Sequence, residues 1–414
     1  ENKKNNIYTW EAKNIDEFDF EENSPSYKSI LPHIIPRISS YKVDGKQTFL
    51  LNDVSQLYEW YYSLVKDINT GEDNKELIGL VNDLTRGKTN DLEKVRALYY
   101  WAQENIKYIA FEYALGGFVP RETDEVFIKK YGDCKDNSSL LYKMLEIAGI
   151  KGNLTWIGTR SIPYSYSDVP TPIVDNHMIL TFEYGDKTYY LDATGRYTSI
   201  DTPTSFIQGK EALVGKEYEG FDIKVVPIIE PNLNTYKDSS IIELVGNNIK
   251  GKSTTEISGY IKSDYFYDLE KINSETKTEA YYNSMFEKGN NSFLIENLIE
   301  NNKYEYDKNL IVNYAFNISN YAKVLDNEVF INLNLSKRLL KLKTEENRKV
   351  PVEFEYKDYY QYQTILKIPE GYSAQYIPKN IDMNNEYVSC SIHYSLKEDE
   401  IQYQHTFTLN TLSL

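Results

Sequence analysis

The chain has 414 residues, with 62 acidic side chains against 46 basic ones, and its formal charge of -16 argues against a nucleic-acid backbone or an anionic membrane surface as partner. At 41% apolar and 26% charged it has the composition of a folded globular protein, and its length exceeds what one hydrophobic core serves, which predicts two or three domains. No apolar run approaches the span of a bilayer, so no integral membrane segment is expected; the start at Glu1 lacks a signal-peptide pattern, as a trimmed secreted protein would.

Residues 1–50 hold Tyr8-Thr9-Trp10 and the run Ile30-Leu31-Pro32-His33-Ile34-Ile35-Pro36. The prolines exclude a helix, and so short a segment with few apolar positions reads as the last strand or two of an upstream β domain. His33 sits between prolines with no evident partner. Three amphipathic helices follow. The first runs from Asn52-Asp53 through Leu57, Trp60, Tyr61, Leu64, Val65 and Ile68, and the second covers about 73–85 through Leu77, Ile78, Val81 and Leu84. The third has Asn90 as N-cap and Glu93 at N3, and buries Val95, Leu98, Tyr99, Ala102 and Ile106. Gln103 is placed at its surface, while Trp60 and Trp101 read as core aromatics. The Gly116-Gly117 pair lacks the context of a phosphate cradle and reads as a loop backing onto a cleft, before a short helix over 123–130.

Tyr131-Gly132-Asp133-Cys134-Lys135-Asp136 reads as a turn that throws Cys134 onto the first turn of a helix. Gly132 and Asp133 break structure, and Leu140, Leu141, Met144, Leu145 and Ala148 recur at helical spacing until Gly149. Unpaired amides and the positive end of the helix dipole favour thiolate at such a position. A free cysteine is also commonly a small buried hydrophobe, so the argument needs a base. Cys390, the other cysteine, is expected in a different domain, which argues against a disulfide or a thiolate metal site. Asp133 and Asp136 are expected on the amides of the first turn, and Lys135 in solvent.

After Gly149 the pattern becomes extended. A strand over 153–160 and a loop over 161–173 lead to the strand ending at Tyr184, and Gly185-Asp186 then turns the chain into a strand over 187–195. With Tyr184 opposite Lys187, His177 falls opposite Thr194 and diagonal to Asp192, within reach on one face of a sheet. Cys134 as nucleophile, His177 as base and Asp192 as the carboxylate orienting the imidazole then form a three-part site. A satisfied structural histidine and a turn-capping aspartate are the alternative. No metal or cofactor is expected, since His177 has no histidine or cysteine at ligand spacing. The Cys134 amide, with help from Tyr108 or Asn176, is the expected donor to an oxyanion, with Gly116 and Gly117 as cleft support.

These blocks carry a resemblance. Tyr131-Gly132-Asp133-Cys134-Lys135-Asp136, Asn176-His177-Met178-Ile179 and Tyr190-Leu191-Asp192-Ala193-Thr194-Gly195 resemble the three catalytic blocks of the transglutaminase-like superfamily, whose core has a circularly shifted papain-type arrangement. Gly116-Gly117-Phe118-Val119-Pro120-Arg121 is similar to bacterial multidomain proteins in which such a core lies between DUF3857 and DUF3858 domains, typically exported by Bacteroidetes. The resemblance implies a DUF3857-like remnant over 1–50, a transglutaminase-like core over 51–225 and a DUF3858-like domain over 226–414, in a periplasmic or cell-surface protein.

From Phe221 onward the chain alternates in short aromatic stretches. Strands are expected around Gly246-Asn247-Asn248 and at 310–318, 328–335, 352–357, 361–368, 386–395 and 401–409, with a helical insertion over 277–293. The 38 tyrosines suit sheet surfaces. His393 and His405 read as ordinary surface or core residues. The fold class expected is α+β: helices packed on an antiparallel sheet, followed by a mostly antiparallel β domain. The function expected is a cysteine hydrolase or acyltransferase acting on a protein, peptide or small amide through a thioester; the alternative is a catalytically silent secreted binding or scaffold protein.

Overall fold

The computed structural model describes residues 7–15, 17, 21–110, 113–338 and 347–414. Side-chain caps fix the starts of the first three long helices. Asp53 accepts from Gln56 N (2.9 Å) ahead of Val54–Val65, and Asn74 accepts from Glu76 N and Leu77 N ahead of Lys75–Thr85. Asn90 accepts from Glu93 N (2.9 Å) ahead of Asp91–Asn105, while Glu93 reaches back to Thr89 N (3.0 Å). Each such cap contributes about 1 kcal/mol. Beyond the caps, apolar stripes direct packing. Leu77, Val81, Val95, Leu98 and Tyr99 close over Leu140, Leu141, Met144 and Leu145 of the Cys134–Ile147 helix, and Leu57, Tyr58 and Tyr61 close over Trp156 and Met178. Trp60 and Trp101 are half-buried against these clusters.

The cysteine helix lies on a five-stranded antiparallel sheet in the order Lys187–Leu191, His177–Tyr184, Asn153–Ile157, Glu211–Gly215, Phe221–Val225. Gly185, at φ +60°, supplies the left-handed position of the two-residue turn that sets Tyr184 opposite Lys187. Ladder pairing on that side stops at Leu180 opposite Leu191, while His177 pairs with Ile157 on the other side. His177 and Asp192 thus stand at the frayed open end of the hairpin.

The second half is one eight-stranded sheet, in the order Phe293–Asn301, Leu310–Ile318, Asn248–Ile257, Thr235–Val245, Asp358–Lys367, Glu400–Leu409, Val388–Lys397, Ile381–Asn384. Every neighbouring pair is antiparallel except Thr235–Val245 with Asp358–Lys367. The fold is therefore a mixed α+β core followed by a mostly antiparallel β domain.

Local expectations change in five places. The helix expected over 277–293 is Glu275–Met285, and Phe293 opens a strand instead. A further helix, Gly259–Glu270, stands where extended chain is expected and buries Tyr260, Tyr265 and Phe266. The stretch 352–357 makes only the isolated bridge Glu353 to Ser413, and within 328–335 only Glu328–Phe330 is a strand. His33, expected without a partner, has its Nε2 at 2.6 Å from the Tyr164 hydroxyl.

The two halves meet through polar contacts to main chain. Arg160 donates to the carbonyls of Phe354 (2.6 Å), Glu355 and Leu412, and Tyr100 stacks on Tyr306 at 4.2 Å. Inside the large sheet Asp238 is wholly enclosed. It accepts from Lys288 Nζ (2.7 Å), Ser240, Ser253, Thr255 and Tyr314.

Candidate active site

The cysteine helix begins where the two-residue strand Tyr131–Gly132 lies parallel to Lys107–Tyr108. A Cβ on Gly132 would meet Asp136 Cβ at 2.6 Å, so only glycine lets the chain enter this closely. Asp133 then caps the helix reciprocally: Asp136 N donates to its Oδ1 (3.2 Å), and Asp133 N donates to Asp136 Oδ2 (3.0 Å). The same Asp136 carboxylate receives the Arg121 N–H (2.8 Å) and guanidinium (2.8 and 3.0 Å), bolting the Gly116–Arg121 stretch onto the helix start. Lys135 is a correction. It is buried rather than solvated, because Asp133 Oδ2 is enclosed and takes its ammonium as an ion pair. Burial pushes the Asp133 carboxyl upward despite Lys135.

Cys134 occupies the first helical position, where its N–H has no intrahelical acceptor. The side chain is half-buried against a cluster that includes Trp60, Tyr61 and Met178. One turn on, Ser138 Oγ bonds both the Cys134 carbonyl (2.8 Å) and the Met178 carbonyl (3.0 Å), tying the cysteine's helix to the strand that carries His177.

His177 Nε2 lies 2.8 Å from Asp192 Oδ2, with the histidine side chain 8% exposed and the aspartate fully enclosed. A carboxylate only accepts, so Nε2 donates its proton to Asp192. Asp192 also receives Thr194 N (3.1 Å), Thr194 Oγ1 (2.6 Å) and Thr204 Oγ1 (2.8 Å), while its carbonyl takes the Tyr99 hydroxyl (3.1 Å). Burial works against charge on both members of the pair, yet each ionises more readily than usual. His177 is raised to about 10 by Asp192 and, further, by Cys134; Asp192 is lowered by His177 and the two threonines. The Phe206 ring stands edge-on to the imidazole at 5.4 Å.

Of the expected oxyanion helpers, Tyr108 is 41% exposed on the strand beside Gly132. The amide of Asn176 is engaged by Thr159 through both its oxygen (2.8 Å) and its nitrogen (3.0 Å). Gly116 and Gly117 close a single 3-10 turn, after which Phe118 packs on Trp60 at 5.1 Å. Among the described residues no three His, Cys, Asp or Glu side chains gather at metal-ligand spacing, and no helix is long and apolar enough to cross a membrane.

Residues 78–156 match the family model of the transglutaminase-like superfamily, and residues 327–412 match that of DUF3858, a domain of unknown function with solved structure. The chain carries a transglutaminase-like domain and a DUF3858-like domain. The first match takes in Cys134 and stops before His177 and Asp192. A solved protein from Parabacteroides distasonis, described as a candidate protease, shares the fold at a TM-score of 0.52 and 11% identity over 93% of this chain. This chain spans 59% of that protein's length. No curated protein matches.

Sequence patterning misses several residues near the His177–Asp192 pair. Gln103, expected at the surface, is buried, and its amide bonds Thr198 N (3.1 Å) and O (2.9 Å), securing the loop that follows Asp192. Thr204 and Phe206 lie in that aperiodic loop. Asp175, two residues before His177, is buried between the hydroxyls of Tyr61 (2.8 Å) and Tyr166 (2.7 Å), and burial raises it to about 7. Folded protein therefore holds a proton that unfolded chain releases near pH 4, so the wild type loses stability as pH climbs from there to 7. Asp175→Asn is expected to remove that slope, which at 1.36 kcal/mol per pKa unit amounts to about 2–3 kcal/mol between urea unfolding at pH 5 and at pH 7.5.

The second cysteine–histidine pair has the opposite character. Cys390 Sγ is 3.5 Å from His405 Nε2, but burial pushes the thiol up and the imidazole down, so both stay neutral.

Proposed function

We propose that this chain is a cysteine-dependent hydrolase or acyltransferase of peptide or carboxamide bonds, with Cys134 as nucleophile, His177 as proton carrier and Asp192 as the carboxylate that holds the ring. What carries the proposal is a histidine bonded to a buried aspartate at 2.8 Å whose positive charge is also favoured by Cys134. Such a histidine is protonated at neutral pH and stands ready to donate to a leaving amine.

The sulfur adds to the carbonyl carbon as the π pair moves onto oxygen, and the Cys134 N–H at the helix start receives that oxyanion. The C–N bond then breaks, His177 Nδ1–H protonates the departing amine, and a thioester remains. Neutral His177 next takes a proton from water as its oxygen adds to the thioester carbon. Expulsion of the thiolate releases the acid and restores the ion pair. A primary amine in place of water gives transfer, but hydrolysis is favoured because it needs no second binding channel.

Peptides and glutamine amides, offered with and without a primary amine, test the reading. Wild type is expected to release amine or ammonia without added amine, and Cys134→Ala to release none. Equal turnover by the two proteins, or none by wild type across the panel, removes the proposal. On the resemblance to exported Bacteroidetes proteins, we also propose a periplasmic or cell-surface location; recovery in the cytoplasmic fraction of the source cells would sink it.

A further inference from the structure

The loop from Gly195 to Gln208 leaves the site at Asp192 and runs between the two halves of the molecule. Its inner side is held by the transglutaminase-like domain, where Gln103 brackets Thr198 and the Tyr100 hydroxyl takes Ile200 N (3.1 Å). Its outer side is held by the helix Gly259–Glu270 of the second half. The Tyr260 hydroxyl donates to the Pro203 carbonyl (2.5 Å), Ser263 Oγ donates to the Tyr197 carbonyl (2.8 Å), the Tyr267 hydroxyl accepts from Arg196 N (2.9 Å), and Glu270 pairs with Arg196. Positions 260, 263, 267 and 270 fall on one face of a helix, and that face presents polar groups to the loop, three of them to its main chain.

The consequence concentrates at Pro203-Thr204. Tyr260 is buried and fixes the Pro203 carbonyl. The next residue, Thr204, donates to Asp192 Oδ2, the same oxygen that faces His177 Nε2. Two residues further, Phe206 sets its edge against the imidazole. We propose that Tyr260 and Thr204 are positioning residues, and that the second half of the chain holds the Asp192 carboxylate in register with His177 through them. The inference rests on the Cys134–His177–Asp192 reading and adds to it a control point outside the transglutaminase-like domain. Helix Gly259–Glu270 is itself set by the second half: Gly259 sits at φ +60°, and Tyr260 N donates to Asn234 Oδ1 (3.0 Å).

A carboxylate free to rotate off Nε2 withdraws part of its field from the ring, so the imidazolium loses its proton more easily. The readout is the titration of His177 in full-length protein with 13C-labelled histidine, followed by NMR; Cys134 and Tyr99 are the other titratable groups facing the pair. Thr204→Val and Tyr260→Phe are each expected to lower the His177 midpoint by about half a pH unit or more, and Thr204→Ser, which keeps the hydroxyl, to stay within about 0.2 units of wild type. A merely structural contact changes thermal stability without moving that midpoint. Iodoacetamide labelling of Cys134, with His177→Ala as comparison, tests the underlying site separately. If labelling depends on His177 while both variants titrate like wild type, the positioning role is overturned alone. If labelling is indifferent to His177, both readings fall.

Discussion

Replacing His177 by alanine is expected to lower amide turnover by about 10²–10⁴-fold, the usual contribution of a positioned acid–base group, and to slow alkylation of Cys134 at pH 7 by about tenfold or more. The imidazolium both stabilises the sulfur's charge and supplies the proton for the leaving amine, so both readouts move together. Cys390 is the internal control, because its pair with His405 is neutral and its labelling should not change. The pH dependence follows from the two shifts. His177 is raised to about 10, so the stability it contributes is fully present below its unfolded value near 6.5 and is lost as pH rises through 10. Asp192 is lowered, so its share is present above about 4 and is lost as pH falls through its depressed value. The alanine variant should thus lose the alkaline limb of wild-type unfolding. Equal labelling of Cys134 in both proteins would refute the ion pair.

Lys288→Ala is expected to destabilise the second half by about 3–5 kcal/mol, measured by urea unfolding at pH 7. Lys288 and Asp238 are 5% and 4% exposed and 2.7 Å apart, so removing the lysine strands an almost fully enclosed carboxylate without its counter-charge. Burial alone would raise Asp238; Lys288, Thr255 and Ser253 hold it below the ordinary range. That stabilisation is present above about pH 4 and is lost as pH falls through the lowered value. Adding Asp238→Asn to Lys288→Ala should recover much of the loss, since the orphaned charge, more than the missing contact, sets the cost. A double variant as unstable as the sum of its singles would contradict this account.

What the sequence discloses depends on whether a residue's partner is local. Asp53, Asn74 and Asn90 announce their helices because a cap bonds an amide two or three residues on. Gly185-Asp186 sets the hairpin register, which is why the approach of His177 to Asp192 can be read from spacing. Lys135 and Gln103 cannot be read that way. Both look like surface residues until Asp133 is enclosed and the loop at Thr198 folds back over the third long helix. Thr204 is harder still, as nothing in an aperiodic loop marks a hydroxyl that must meet a carboxylate twelve positions earlier. The helix Gly259–Glu270 is hard to tell from strand in the sequence because tyrosines supply much of its buried face, and tyrosine serves sheets equally well.

The lone parallel pairing in the large sheet has a consequence for how the molecule is made. On one side of it, the four strands between Thr235 and Ile318 are contiguous in sequence; on the other, so are the four between Asp358 and Leu409. The sheet is thus two self-contained blocks welded along one seam, Thr235–Glu243 against Tyr359–Lys367. On a ribosome the first block is complete while its seam strand still has a bare edge, and that edge stays open until residue 358 and its successors emerge. Until then that edge is exposed to wrong partners, so nascent chains halted between 318 and 358 should aggregate where longer ones remain dispersed.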